Sequence, residues 1–115
     1  MKIRNISKKN VIDGNAIICG SLLSKFIGLM FSKNEKKCLI FKFEAEKTIS
    51  LHMFFVFYSI DLIFLDKNKV VVDKKENFRP FTIYSSGKKA MYAIEMSNGT
   101  IKKSKTEIGD IVNWG

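Results

Sequence analysis

An almost wholly apolar run over residues 49–65 limits what this chain can fold into. A membrane-spanning helix needs about 20 apolar residues, whereas this run is shorter and contains His52 and Asp61. A central Asp alone costs about 2.5 to 3.5 kcal/mol on insertion scales. Phe, Val and Ile dominate the run, and these residue types favour strands. The run therefore predicts a pair of buried strands, and no transmembrane segment is expected.

The size of the chain favours one domain over residues 1–115, because 115 residues is near the commonest domain length. A chain of this length buries about two thirds of its unfolded surface, so neither disulfides nor a metal are needed for stability. Cys19 and Cys38 lie in apolar runs without Cys-x-x-Cys spacing, which is typical of small buried hydrophobic residues. The first residues lack an apolar signal core, so a cytoplasmic location is expected.

The hydrophobic pattern changes from helical to strand-like along the chain. Residues 21–31 carry one apolar stripe, and Ser21 is suited to cap the start of a helix. After Lys37 the period becomes two, and Asn98-Gly99 marks a turn before one helical turn over residues 100–105. Strands are predicted over residues 15–19, 39–44, 48–58, 61–65, 70–73, 78–84, 89–97 and 111–114. These elements predict a mainly β (α+β) fold: a small antiparallel barrel-like or sandwich domain with one short helix near the N-terminal third.

Three motifs in order resemble a known family. They are Gly28-Leu29-Met30-Phe31, the segment 49–66 with its His and two Asp residues, and the segment 90–96 followed by Gly99 and Gly109-Asp110. On these motifs the chain is identified as a member of domain-of-unknown-function family 192, also called uncharacterised protein family 0127. The resemblance implies a compact β-rich fold with a short helix. It brings no established activity.

Polar residues inside the apolar segments are the candidates for chemistry. His52 and Asp61 could form an acid–base pair, since a carboxylate fixes the tautomer of an imidazole and stabilises its charged form. No nucleophile or second base accompanies them, so a structural use of both side chains is favoured. Phe54 and Tyr58 share the face of His52 and, with Asp61, would line a shallow pocket. The leading hypothesis is therefore a non-catalytic module that binds a small ligand or a partner, and an enzyme using the His–Asp pair is the alternative.

Two further acidic residues complete the list of ligand-binding candidates. Glu95 lies on the less apolar face of its strand, where pairing with a lysine is expected, and Asp110 follows Gly109, where it is expected to shape a turn. One His and two separated Cys residues argue against a metal site. The chain has no G-x-G-x-x-G or Walker loop, so no cofactor is expected.

The net charge of +9 suggests a third hypothesis, weak binding of RNA or another polyanion. The lysines occur as scattered pairs, and Arg4 and Arg79 are the two arginines. Because arginine is the residue expected for bidentate reading of bases and phosphates, a solvated lysine-rich surface is the favoured interpretation.

Overall fold

The computed structural model describes residues 1–19, 38–52 and 58–115. Within these ranges the chain forms ten strands and one short helix. In chain order they are β1 (Ile3–Asn5), β2 (Asn10–Asp13), β3 (Ala16–Cys19), β4 (Cys38–Lys47), β5 (Ser50–His52), β6 (Ile60–Leu65), β7 (Val71–Phe78), β8 (Ile83–Ser85), β9 (Ala90–Ser97), α1 (Thr100–Ser104) and β10 (Val112–Trp114).

The strands are arranged in three sheets. A five-stranded sheet has the order β3-β4-β9-β6-β7, so β9 lies between β4 and β6 at its centre. The chain ends meet in a three-stranded sheet of order β10-β1-β2, and β5 pairs with β8 in a two-stranded sheet. All these pairs are antiparallel except β3 with β4, which is parallel.

Two apolar cores cover the two faces of the five-stranded sheet. The first core joins this sheet to the three-stranded sheet and to α1, and includes Ile3, Ile12, Ile40, Ile63, Leu65, Ile94, Met96, Ile101 and Val112. The second core lies on the opposite face and consists of Leu39, Phe41, Ile49, Ile60, Leu62, Phe64, Phe78, Ala90 and Ala93. Because side chains alternate between faces, a strand covered on both faces needs a continuous apolar sequence. This explains why all six residues of β6 are buried.

The mainly β class is confirmed, but the barrel-like form and the uniformly antiparallel pairing are wrong for the described strands. They form separate sheets that do not close into a barrel, because β3 and β7 end the five-stranded sheet without pairing to each other. The helix of the described ranges is α1, near the C-terminus, and the predicted helix over residues 21–31 lies outside the described residues. The parallel pairing of β3 with β4 joins two strands that are distant in sequence, and local periodicity does not reveal such a pairing.

Several local predictions can be compared with the strands directly. The strands predicted over residues 61–65 and 70–73 are confirmed and form the hairpin of β6 and β7; Asp66 holds its turn, because its Oδ1 accepts hydrogen bonds from the N–H groups of Asn68 and Val70. The single strand predicted over residues 78–84 is wrong: β7 ends at Phe78 and β8 begins at Ile83. Phe81, between them, has a φ of 63°, which is incompatible with an extended strand.

None of the helices in the described part of the chain is long and apolar enough to cross a membrane.

Candidate functional site

The carboxylate of Asp61 is fully occupied by backbone N–H groups. Its Oδ2 accepts hydrogen bonds from the N–H of Gly99 at 3.0 Å and from that of Ile101 at 2.9 Å. Its Oδ1 accepts one from the N–H of Asn77 at 3.0 Å. Asp61 itself is completely buried. It therefore caps the start of α1, where Gly99 is the N-cap residue, and fixes β7 at Asn77.

This bonding leaves the acid–base pair of His52 and Asp61 without support. The backbone of His52 pairs with Ile83 across β5 and β8, and its side chain lies outside the described structure. Of the other residues expected to line the pocket, Phe54 lies outside the described residues, and Asp61 is bonded to the start of α1. Tyr58 is half-buried and packs against the second core. A carboxylate that accepts three backbone hydrogen bonds is a structural group.

Asp110 is also held by neighbours on several sides. Its Oδ2 accepts hydrogen bonds from Asn5 Nδ2 and from the N–H of Glu107, both at 2.9 Å, and its Oδ1 accepts one from Lys8 Nζ at 3.1 Å. Burial alone would raise the pKa of Asp110, but these hydrogen bonds and the Lys8 charge outweigh burial and lower it. Since Gly109, with a φ of 96°, precedes it, Asp110 shapes the turn before β10 as expected and ties the two chain ends together.

Glu95 differs from both aspartates. It lies at the centre of β9, opposite Leu39 of β4 and Leu62 of β6, on the face of the second core. Only 2% of it is exposed, and neither carboxyl oxygen has a hydrogen-bond partner in the described part of the chain. Its expected pairing with a lysine is therefore wrong within those residues. Burial raises the pKa of Glu95 well above its ordinary value, which favours the neutral form.

An unpaired buried carboxyl group is unusual because more than nine in ten buried polar groups have a partner. Leaving one unpaired costs about 1–3 kcal/mol. The apolar neighbours Leu39 and Leu62 offer no hydrogen-bond donor from their side chains. Among the buried side chains of the described residues, Glu95 is therefore the one whose oxygens remain unpaired and could bind another molecule. The sequence of its strand could have predicted this burial. Ala90–Ser97 is mostly apolar on both faces, and a glutamate inside such a strand is shielded from water.

Sequence reasoning missed a groove beside the turn between β9 and α1. Its volume is about 640 Å³. Its walls come from β2 with the following Gly14, from the end of β9 with the turn after it, and from α1: Asn10, Val11, Ile12, Asp13, Gly14, Ser97, Asn98, Gly99, Thr100, Lys103 and Ser104. Two of its polar side chains already bond to backbone groups: Asn10 Nδ2 donates to the carbonyl of Ser104, and Asp13 Oδ1 accepts from the N–H of Asn15. The groove thus has the size of a ligand site but lacks an unpaired buried group like Glu95.

Metal binding has no support in the described residues, where no three His, Cys, Asp or Glu side chains come together. Cys38 is buried as expected. Burial, with smaller contributions from the charges of Asp13 and Glu95, raises the pKa of Cys38 to about 12. A thiol with so high a pKa is a packing group and not a nucleophile.

Solved structures share this fold. A protein from Sinorhizobium meliloti 1021, described as a proposed transcription regulator, superposes with a TM-score of 0.86 at 20% identity, over 97% of this chain and 91% of that one. A protein of unknown function from Novosphingobium aromaticivorans superposes with a TM-score of 0.83 at 18% identity, over 98% of this chain and 82% of that one. At these identities the comparison establishes the fold alone.

Sequence comparison identifies closer relatives. A UPF0127 protein of Pyrococcus abyssi is 40% identical over 114 residues, which cover 97% of this chain and 96% of that protein. A UPF0127 protein of Thermococcus sibiricus is 38% identical over 112 residues, 96% of this chain and 72% of that protein. Residues 5–114 also match the model of the DUF192 family, described as "Uncharacterized ACR". The chain therefore belongs to the DUF192 family, as its motifs predicted.

Proposed function

We propose that this protein is a non-catalytic binding domain for a small ligand, and that Glu95 is the residue that recognises the ligand. One observation carries the proposal: both oxygens of Glu95 are buried and lack a partner in the described part of the chain. The other two acidic candidates in the described strands and turns, Asp61 and Asp110, have their oxygens bonded within the protein. Glu95 is thus the acidic candidate whose hydrogen-bonding groups remain for another molecule.

The energetics favour binding over a purely structural role. A carboxyl group between Leu39 and Leu62 destabilises the free protein by about 1–3 kcal/mol relative to a paired group. An apolar residue at this position would avoid that loss, because it would complete the second core. A ligand that supplies the missing hydrogen bonds removes the loss when it binds. Its binding free energy then includes the pairing of Glu95.

The surroundings of Glu95 indicate an apolar ligand body. The nearest residues across the sheet are leucines, and the same face carries the aromatic rings of Phe41 and Phe64. Ligand sites of this kind combine mostly apolar walls with a few polar groups that fix orientation. Because Glu95 is sealed from bulk water, the site must open before a ligand enters. We expect slow association for this reason.

The proposal is tested with four probes that share a five-carbon chain and differ in the head group: n-pentylammonium, n-pentanol, pentanamide and pentanoate. The thermal unfolding midpoint is measured with each probe for the wild type and for Glu95→Met, which replaces the carboxyl group by an apolar side chain of similar length. At least one probe is expected to raise the wild-type midpoint and to leave that of Glu95→Met unchanged.

Glu76→Gln is the matched control because Glu76 is exposed on β7, and its response to every probe should equal that of the wild type. Glu95→Met alone is expected to be as stable as the wild type or more stable, which separates loss of recognition from unfolding. Equal responses of the wild type and Glu95→Met to all four probes would overturn the proposed function.

A further inference from the structure

We infer that the ligand of Glu95 carries a cationic amine on an apolar body. The inference rests on the proposed function and adds the chemical class of the ligand. Glu95 lies between Leu39 and Leu62 across the sheet, so in this row of described residues its carboxyl group is the acidic partner for the head group of the ligand. The observation to be explained is that both oxygens lack a donor in the described structure, and not just one of them.

The number of donors distinguishes the head groups. A carboxylate accepts hydrogen bonds at both oxygens, and an ammonium group presents three donors from one small centre. A hydroxyl group has one donor, and a carboxylate ligand has none at neutral pH. Hydrogen bonds between charged partners are also about twice as strong as neutral ones. An ammonium group is therefore the small head group that best satisfies both oxygens of Glu95.

Charge balance points in the same direction. An isolated ionised carboxylate is strongly disfavoured among apolar side chains, but it is tolerated when a cation accompanies it. No charged group of the described residues contributes to the raised pKa of Glu95, for which burial is the cause. On the neighbouring strands, Leu39 and Leu62 face Glu95, whereas Cys38 and Asp61 point to the opposite face of the sheet. The described residues thus supply no counter-charge for an ionised Glu95, and we expect the ligand to supply it.

This pairing couples binding to a proton. In the free protein burial raises the pKa of Glu95 and favours its neutral form, whereas the ammonium complex contains the carboxylate. At a pH below the pKa of Glu95 in the free protein, each binding event therefore releases up to one proton from Glu95 to the buffer. The observed affinity for an amine should rise about tenfold per pH unit as long as the pH lies below the pKa of Glu95 in the free protein. A neutral alcohol or amide would bind without releasing a proton.

Salt provides a second distinction. The net charge of +9 repels an ammonium ion at long range, and added salt screens this repulsion. Binding of the amine at Glu95 should therefore stay constant or strengthen as salt is added. Adsorption of an anion to the lysine-rich surface would weaken under the same conditions.

The test is isothermal titration calorimetry of the intact protein with n-pentylammonium chloride and with n-pentanol. Each titration is run at a series of pH values from about 5 upward, at each pH in two buffers with different enthalpies of ionisation, and proton release is assessed where Glu95 of the free protein is protonated. For the amine, the buffer dependence of the heat should correspond to release of one proton per site, and the affinity should rise about tenfold per pH unit. Glu95→Gln, which keeps the shape of the neutral side chain, should lose at least about tenfold in amine affinity and release no proton.

The outcomes separate this inference from the proposed function. If the binding of n-pentanol or pentanamide requires Glu95 and the binding of n-pentylammonium does not, the proposed binding function stands. The inference that the ligand is a cation is then wrong. If the amine binds without proton release, or equally well to Glu95→Gln, the inference is also overturned. If none of the probes distinguishes the wild type from Glu95→Met, both proposals fall.

Discussion

Asp61 and Glu95 are two buried acidic residues of the five-stranded sheet with opposite hydrogen bonding. Both carboxyl groups are buried, on β6 and β9 respectively. Asp61 meets three N–H groups that come from residues 16, 38 and 40 positions away along the chain. No local pattern could predict these contacts, and the sequence revealed only a polar residue in an apolar run. Glu95 meets no donor among the described residues, and its burial follows from the central place of β9 in the sheet.

Replacing Asp61 by Ala should destabilise the protein strongly. The substitution leaves the N–H groups of Asn77, Gly99 and Ile101 without their acceptor. At about 1–3 kcal/mol for each unpaired group, the free energy of unfolding should fall by about 3 kcal/mol or more, as measured by urea denaturation. Asp66→Ala is the control, since Asp66 bonds to turn N–H groups nearer the surface, and its cost should be about 1 kcal/mol. Equal losses in the two variants would contradict the capping role of Asp61.

The raised pKa of Glu95 predicts a particular dependence of stability on pH. Unfolded Glu95 ionises near its ordinary pKa, whereas the folded protein retains the proton to higher pH. Between these two pKa values the folded state binds more protons, so the free energy of unfolding falls by about 1.4 kcal/mol per pH unit as the pH rises. Glu95→Gln removes this titration, and its advantage over the wild type should grow with pH over that window. Urea denaturation at a series of pH values measures the effect.

The exposed Glu76 provides the control for this titration. Glu76→Gln should follow the wild-type pH dependence throughout. A constant stability difference between the wild type and Glu95→Gln at all pH values would show that Glu95 titrates normally in the folded protein.

Elements with strong local signals were predictable, and elements defined by distant partners were not. The hairpin of β6 and β7 followed from two short apolar strands separated by the polar residues 66–69, and α1 followed from the Asn98-Gly99 turn. The boundary between β7 and β8 was missed because Phe81 adopts a left-handed conformation that its residue type does not suggest. The insertion of β9 between β4 and β6 depends on pairings across the whole chain. The burial of Glu95 depends on the same pairings, and this explains why the candidate site was only partly predictable.

The turn into α1 should be sensitive to substitution at Gly99. Gly99 has a φ of 93°, and an added Cβ would meet no atom within 4 Å, so conformational strain is the effect that remains. Gly99→Ala should therefore cost about 1–2 kcal/mol of the free energy of unfolding. Gly14→Ala is the matched control, because its Cβ also has open space and its backbone is not left-handed. It should be neutral or slightly stabilising. The same cost at both positions in urea denaturation would indicate that something other than backbone strain acts at Gly99.

Polyanion binding belongs to the surface as a whole and stays a prediction. The excess positive charge is spread over lysines, and some of these have neighbours of their own: Lys74 Nζ donates to the carbonyl of Thr106, and Lys69 Nζ lies 4.1 Å from the centre of the Trp114 ring. We expect weak binding of single-stranded RNA at low salt that disappears near about 0.15 M salt. Fluorescence anisotropy of a labelled RNA measures this. The absence of binding at low salt would remove the hypothesis.

The first and last strands of the structure pair with each other, so we expect the stability of the three-stranded sheet to depend on both. β1 pairs with β10, and both Ile3 and Val112 are fully buried in the first core. The three-stranded sheet therefore cannot form before the last residues are in place. The three-stranded sheet also packs against one face of the five-stranded sheet, because the first core contains residues of both sheets. We expect these two sheets to unfold together in one cooperative transition, because they share the first core.

Trp114 makes this expectation measurable because it is the single tryptophan and lies on β10. Its ring packs edge-on against Tyr92 of the five-stranded sheet, with 5.1 Å between ring centres, so its fluorescence reports on contact between the sheets. Urea unfolding followed by Trp fluorescence and by far-UV circular dichroism should give the same midpoint. Val112→Ala should lower both midpoints together, with a loss of about 2 kcal/mol from the removed methyl groups and the resulting cavity. An earlier fluorescence transition, in the wild type or the variant, would mean that the terminal sheet opens as a unit of its own.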